Sequence, residues 1–386
     1  MHNRTRSLPR TIGFVLLVLL ALYVPFGVGE RNWLTPLNLA MAAAIGAIGL
    51  NILLGYTGQL SLAHPFFIAV GAYGYSWLSA DSDPITKAAR DSDHLSGLGL
   101  HPILATILVL ILAGLLGAAF SPIAGRVKGI YLGIASLGLV FLTDHLLQNM
   151  KGVTGGFNGR RVPVYDVGIG KISSCRPKEC QLFGNPFGQP ERLWYLLVVV
   201  VFLSYLLARN MMKGRPGRAL QALRDGEIPA SVMGVNLTRY RASAFMVSAM
   251  FAAMSGVMYA LANGNITPTE FQVDSSVMFL AMVVIGGLGS LGGSIVGALF
   301  VRILPDLITR HGDKIPFVGD PSNPTGLKPL AMARFIYGAA VILLLLFEDG
   351  GLAGLWRRIT TKISRRTPES AALVDDLGAP LEAAAT

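Results

Sequence analysis

Among the residues able to do chemistry, His64 draws attention first, because it stands with Gln59 and Ser61 in an otherwise apolar stretch. Catalysis by His64 or by His145 needs a nucleophile or acid partner at a recognisable spacing, and none is found. Cys175 and Cys180 are the two cysteines, and no histidine accompanies them at the spacing of a zinc site. They are either a candidate disulfide, in an oxidising compartment, or two idle thiols. The run Gly287-Leu-Gly-Ser-Leu-Gly292 has the spacing G-x-G-x-x-G. That spacing cradles a dinucleotide only where a strand passes into a helix, and here it interrupts two apolar runs. No G-x-x-x-x-G-K-[S/T] loop occurs, so any ATP used must be bound by another chain. The expectation is a protein with no bond chemistry of its own, no metal and no cofactor.

What positions these residues is set by composition. Of 386 residues 52% are apolar and only 14% are charged, against about 25% charged in a typical soluble domain. The net charge of +10 would suggest nucleic acid in a soluble protein. Here the positive residues collect between apolar runs, which fits membrane topology and argues against a nucleic-acid partner. A span needs about 20 predominantly apolar residues. The candidates are Thr11 to Val28, Leu37 to Leu54, Leu60 to Ala80, Pro102 to Phe120, Gly129 to Asn149, Leu193 to Ala208, Ala242 to Ala262, Ser275 to Leu288, Gly293 to Ile308 and Pro329 to Phe347. The fold class expected is an all-α polytopic membrane protein of about ten helices, with eight to ten as the range.

Arg4, Arg6 and Arg10 place the N-terminal segment, residues 1–10, in the cytoplasm by the positive-inside rule. The first apolar run reads as a retained helix, since no clear A-x-A cleavage site follows Val24. The transmembrane body is 11–347, followed by a cytoplasmic tail, 348–386, expected to be disordered beyond 367. The long loop 151–191 falls outside although it is net positive. The segment 214–241 falls inside, where Arg215, Arg218, Arg224, Arg239 and Arg241 outnumber Asp225 and Glu227.

Three elements carry the mechanism. Gly58, Gln59, Ser61 and His64 break an apolar run, which marks either a pathway lining or a tight cytoplasmic turn with Ser61 capping the next helix. Gly286, Gly287, Gly289 and Gly292 form a glycine hairpin where backbone can turn and helices can approach closely. Gly129-x-x-x-Gly133 and Gly293-x-x-x-Gly297 are small-xxx-small packing faces. In 214–241, Ala219, Ala222 and Leu223 share a helical face, Gly226 interrupts it, and Pro229 suits the first turn of a second helix that Gly234 and Asn236 can end. Two short surface helices of this kind either dock in a groove on a soluble partner or lie on anionic lipid.

At this loop the sequence resembles the permease subunits of ATP-binding cassette importers, in particular the branched-chain amino-acid permease family of the LivM kind. The carriers are Gly217-Arg-Ala-Leu-Gln-Ala-Leu-Arg-Asp-Gly-Glu-Ile-Pro-Ala-Ser-Val-Met-Gly-Val-Asn236, the segment Gly55 to Tyr73, Tyr131 with Thr154-Gly-Gly156, and Val283 to Gly292. The resemblance runs from about Trp33 to Phe347. It implies that Gly217, Arg218, Ala222, Arg224, Asp225, Glu227 and Gly234 belong to a coupling surface for an ATPase, and that Gly58, Gln59, Ser61 and His64 lie near the translocation route. It also implies a second, LivH-like permease, two ATP-binding subunits that hold ATP and Mg, an extracytoplasmic solute-binding protein, membrane lipid around the chain, and a bacterial inner-membrane location with both termini cytoplasmic. Ala63, Pro65 and Pro229 depart from the family's usual residues and leave open whether branched-chain amino acids or urea and short amides are carried.

Two rivals come from other classes. An ion-coupled carrier needs intramembrane ionisable residues, yet Asp144, His145 and Asp274 fall near span ends and Arg302 lies inside the ninth span without a clear carboxylate partner. A membrane enzyme would need a partner for His64 or His145.

Overall fold

The computed structural model describes residues 24–25, 33–80, 97–127, 129–163, 181–182, 185–186, 188–310, 329–347, 350–355 and 358. The first expected span apart from residues 24–25, the Cys175 and Cys180 pair, and the tail beyond 358 lie outside the described residues.

The described chain is helical almost throughout. Its helices are α1 (Leu34–Thr57), α2 (His64–Ser79), α3 (Pro102–Arg126), α4 (Ile130–Asn149), α5 (Lys151–Thr154), α6 (Gln189–Lys213), α7 (Arg215–Asp225), α8 (Glu227–Val232), α9 (Leu237–Asn263), α10 (Val273–Gly286), α11 (Leu291–Arg310) and α12 (Pro329–Phe347). Six of the described helices, α1, α3, α4, α6, α9 and α11, are long and apolar enough to cross a membrane. The expected runs from Leu37 onward each fall on a helix, with the shorter apolar helices α2, α10 and α12 standing beside the six full-length ones among the described residues, as an all-α polytopic membrane protein requires. The third run begins as helix at His64 and not at Leu60, with Pro65 in the first turn. Proline preorganises a helix start, and residues 58–63 before it are not helical.

The bundle is organised around α1 and α9. Their most apolar windows are 78% and 67% buried inside the protein, against 28 to 39% for α3, α4, α6 and α11. A helix apolar on all sides belongs in the centre of such an assembly, while the others turn one face to lipid. Leu104, Ile111 and Leu115 on α3 and Val199 and Leu203 on α6 are such outward residues. Helix α9 packs against α1, α2 and α3. Its contact with α2 is backbone on backbone: a Cβ added at Gly256 would overlap the Ile68 carbonyl, and one at Gly71 would overlap Ala253. Helices associate in lipid through this close packing, since water offers no hydrophobic drive between them. Asn236 caps α9 by accepting the Arg239 N–H at 3.0 Å, and Gly264 at φ 73° ends it.

At the end of the bundle remote from α7 and α8, the chain leaving α4 folds back on the chain leaving α9. Strand β1 (Arg160–Arg161) pairs antiparallel with β4 (Asn265–Ile266), Arg160 opposite Ile266 and Arg161 opposite Asn265. A hairpin of β2 (Gln181–Leu182) and β3 (Asn185–Pro186) lies within the long loop. Buried Arg160 donates to the Val153 carbonyl at 2.7 Å, and burial lowers its guanidinium to about 10.

Candidate functional site

The loop helices form a surface unit anchored inward by charged side chains. Helix α7 buries Gly217, Ala219, Leu220 and Leu223. Ala222, expected on the buried face, is only half-buried, because Leu220 occupies the face next to Ala219 and turns the stripe. A Cβ at Gly217 would overlap the backbone of Met212, so glycine lets α7 fold tightly back on the end of α6. Arg218 and Asp225 are exposed. Arg224 is not a free surface charge, since its guanidinium donates a short hydrogen bond to the carbonyl of Gly55 near the end of α1. Glu227, first residue of α8, pairs with Arg241 on α9. Arg241 also donates to the Gly125 carbonyl at the end of α3, at 3.3 Å. Hydrogen bonds to charged groups contribute about 1.5–3 kcal/mol each, so α7 and α8 are joined to α1, α3 and α9 by polar links as well as by packing. Helix α8 buries Ala230 but keeps its large apolar side chains outside: Ile228 is 79% exposed, Val232 83%, and Met233 just beyond it 82%. Gly234 then turns the chain at φ 81°.

The Gly55 carbonyl is where three elements converge. The glycine hairpin joins α10 to α11 through residues 287–290, and the side chain of Asn51, fully buried on α1, reaches into it. The Asn51 amide donates to the Ser290 carbonyl at 2.9 Å, to Ser294 Oγ at 2.6 Å and to the Gly287 carbonyl at 3.4 Å, and its oxygen accepts the Gly289 N–H at 2.8 Å. A side chain on Gly55 would collide with this amide and with Gly289. Gly287 and Gly289 hold positive φ, 112° and 79°. Gly286 faces Gly293, and Gly297 faces Met282 and Gly286, so the Gly293-x-x-x-Gly297 face does pack helix on helix. Gly292 points at open space. In the other small-xxx-small pair only Gly133 meets a neighbour, Leu60, whereas Gly129 is a turn residue at φ 60° with nothing near it.

Between α1 and α2 the backbone turns at Gly58 (φ 69°) and runs back as the non-helical segment 58–63. His64, at the head of α2, hydrogen-bonds through Nε2 with the Gly46 carbonyl at 2.8 Å. Gly46 precedes the end of α1 by eleven residues, roughly 16 Å at 1.5 Å per residue, and the His64 ring meets its carbonyl. The segment therefore climbs beside the last three turns of α1, non-helical at a depth where every polar group must be satisfied by protein or by a lined cavity. The Leu62 N–H is held by Ser136 Oγ of α4 at 2.7 Å, and the Leu62 carbonyl by Ser276 Oγ of α10 at 2.7 Å. Ser61 is buried and accepts the Ala63 N–H at 3.4 Å. His64 is buried against Phe279, ring centroids 5.3 Å apart. Gln59 keeps a buried Oε1 without a hydrogen-bond partner among the described residues. It lines a cavity of about 280 Å³ together with Gly58, Arg224, Glu227 and Arg241.

Of the expected pathway and coupling residues, Gly58, Gln59, Arg224 and Glu227 thus meet around one cavity; Ser61 and His64 are buried in the bundle, and Gly217, Arg218, Ala222, Asp225 and Gly234 do not line it. Four contributors escaped sequence reading: Asn51, Ser136, Ser276 and the Gly55 carbonyl. A lone Asn in an apolar run was the one available signal, since a buried amide needs partners.

A bundle of full-length apolar helices, with broken backbone between them and loop helices presenting an apolar face, defines an all-α multi-pass membrane protein. The chain belongs to the family described as branched-chain amino acid transport system, permease component, whose model matches residues 32–345. It is similar to the high-affinity branched-chain amino acid transport system permease protein LivM of Escherichia coli, 31% identical over 307 residues, covering 76% of this chain and 67% of the relative. The probable LivM of Methanocaldococcus jannaschii is 26% identical over 328 residues, covering 80% and 89%. The LivH permease protein of Escherichia coli is 26% identical over 289 residues, covering 71% and 84%. No solved structure matches the chain. A transport permease component is not itself an enzyme.

Proposed function

We propose that this chain is one half of the membrane channel of an importer for branched-chain amino acids. In this reading α7 and α8 face the cytoplasm and carry the motion of two separate ATPase subunits, which bind the ATP and Mg. A LivH-like permease completes the channel, a solute-binding protein delivers substrate from outside, and both termini lie in the cytoplasm of a bacterial inner membrane. Gly217, Arg218, Ala222, Arg224, Asp225, Glu227 and Gly234 form or support the coupling surface. Gly58 and Gln59 line the exit, with Ser61 and His64 holding the broken segment in place. The observation that carries this reading is the exposed apolar face of α8, hung on the polar links of Arg224 and Glu227 to the channel helices. Three large apolar side chains kept exposed, two on a six-residue helix and one just beyond it, are explained by a partner that covers them. Membrane segments need only two arrangements that the ATPases bind differently for ATP to drive transport.

Replacing Ile228, Val232 and Met233 together by Ser tests the reading. The expected outcome is loss of the ATPase subunits on affinity purification and loss of ATP-driven leucine uptake in proteoliposomes. Insertion and thermal stability should stay within about 0.5 kcal/mol of the parent, as for surface substitutions generally. Undiminished ATPase recovery and uptake would overturn it.

A further inference from the structure

A second cavity opens among α1, α2, α9, α10 and α11, in the half of the bundle remote from the coupling helices. Tyr259 lies four residues before the end of α9, Glu270 sits on the connector Pro268–Phe271, and Arg302 stands within α11; all three line it. Its remaining wall is chiefly apolar, with Ile68, Met278, Phe279 and Met282. The Arg302 guanidinium stacks over the Tyr259 ring, 5.7 Å from the centroid. Among the described residues no carboxylate pairs directly with Arg302; Tyr259 interacts with both charged groups and stands between them.

An ionisable group inside a full-length apolar helix, as Arg302 is on α11, is costly in a membrane and marks a ligand route. Glu270 has one structural duty: with Thr267 it closes a capping box, and Asn263 donates to its Oε1 at 3.0 Å. That duty explains a polar residue here but not a charge, since Gln serves equally at this position of the box. Nor does it explain Arg302. Burial raises the Glu270 carboxyl above its ordinary range, opposed by its bonds to Thr267, Tyr259 and Asn263 and by the nearby Arg302 charge; a bound ammonium would bring it down again.

We propose that this cavity is a binding station for a zwitterionic aliphatic α-amino acid, with Arg302 taking the carboxylate, Glu270 the ammonium, and Ile68, Met278, Phe279 and Met282 the side chain. It rests on the amino-acid importer reading and assigns that reading a recognition site in this chain. Opposite charges held apart across a ring match a ligand that carries both charges as substituents of one carbon, whereas a direct ion pair would have no need of one. A planar guanidinium suits a carboxylate bidentately. The apolar wall accepts a branched chain without specifying which one. The cavity, about 50 Å³ as it stands, has room for a few waters at roughly 10–15 Å³ each, so a ligand enters by rotation of the flexible Met278 and Met282. Occupancy is thereby tied to conformation.

The test uses the assembled complex of both permeases and the ATPases in detergent, with the parent chain and with Glu270→Gln, Arg302→Met and Arg302→Lys. Leucine, 4-methylpentanoate (which lacks the ammonium) and 3-methylbutylamine (which lacks the carboxylate) are titrated, and the ligand-induced shift in Tm is read beside ATP-driven leucine uptake with the binding protein. Leucine should raise the parent's Tm, and the two analogues should not. Glu270→Gln and Arg302→Met should weaken leucine's half-saturation at least tenfold with unliganded Tm unchanged, and Arg302→Lys should recover part of it. If the parent imports leucine and the variants bind it as well as the parent, the site is wrong and the importer reading stands. Should the parent complex hydrolyse ATP yet import no leucine, the substrate reading falls and the site with it.

Discussion

Replacing Asn51 probes the junction between the channel helices and the glycine hairpin. The side chain is 0% exposed, so water cannot substitute for it. In Asn51→Ala the Gly289 N–H loses its acceptor, and an orphaned buried donor costs about 1–3 kcal/mol. The Ser290 carbonyl is less affected, because the Ser294 N–H and Oγ also donate to it, at 3.0 and 3.2 Å. The Gly287 carbonyl similarly retains the Ser290 N–H at 3.1 Å. Adding a modest cavity term, the expected loss is about 2–4 kcal/mol. Asn51→Asp is nearly isosteric and keeps the acceptor, but it cannot donate to two carbonyls and a hydroxyl, and it buries a charge. A buried unpaired charge costs more than a missing hydrogen bond, so Asp should be the worse substitution. Apparent melting of the purified complex, read with leucine uptake per ATP hydrolysed, gives the ranking parent, Ala, Asp. ATPase subunits should still co-purify, because α8 is untouched. An Asn51→Ala protein with parental melting and coupling, or an Asp variant better than Ala, would refute the reasoning.

The Glu227 and Arg241 pair should respond asymmetrically. Arg241 is 9% exposed and Glu227 32%, so Glu227→Gln leaves a poorly solvated cation while Arg241→Met leaves an anion that water reaches; melting should drop more for Glu227→Gln, by about 1–2 kcal/mol. At Gly71, alanine would meet the Ala253 backbone, which has no rotamer to yield, and an overpacking cost of about 1–3 kcal/mol or more is expected. Gly138 on α4 has nothing within 4 Å, so Gly138→Ala should stabilise by roughly 0.5–1 kcal/mol; a loss at Gly138 equal to that at Gly71 would show that helix entropy and packing have been misjudged.

Much of this molecule could be read from the chain. The apolar runs, the sparse charge and the basic segments between them dictate an all-α membrane protein, because hydrocarbon accepts backbone only when it is internally bonded. The alternation of Ala, Leu and Arg with the interruption at Gly226 likewise located two surface helices, since periodicity is a local property. Tertiary structure alone decided what those elements do to one another. Arg224 looks like a surface charge in sequence and spends it on the Gly55 carbonyl, 169 positions away. The break at 58–63 is a re-entrant run because Ser136 and Ser276, from two other helices, bond its backbone. Arg302 stands alone along the chain, yet folding sets it over Tyr259 and near Glu270. Hydrophobic pattern is written along the chain and fixes which segments are buried, whereas hydrogen bonds and charge partners are satisfied across it, between residues that only the packing of helices makes neighbours.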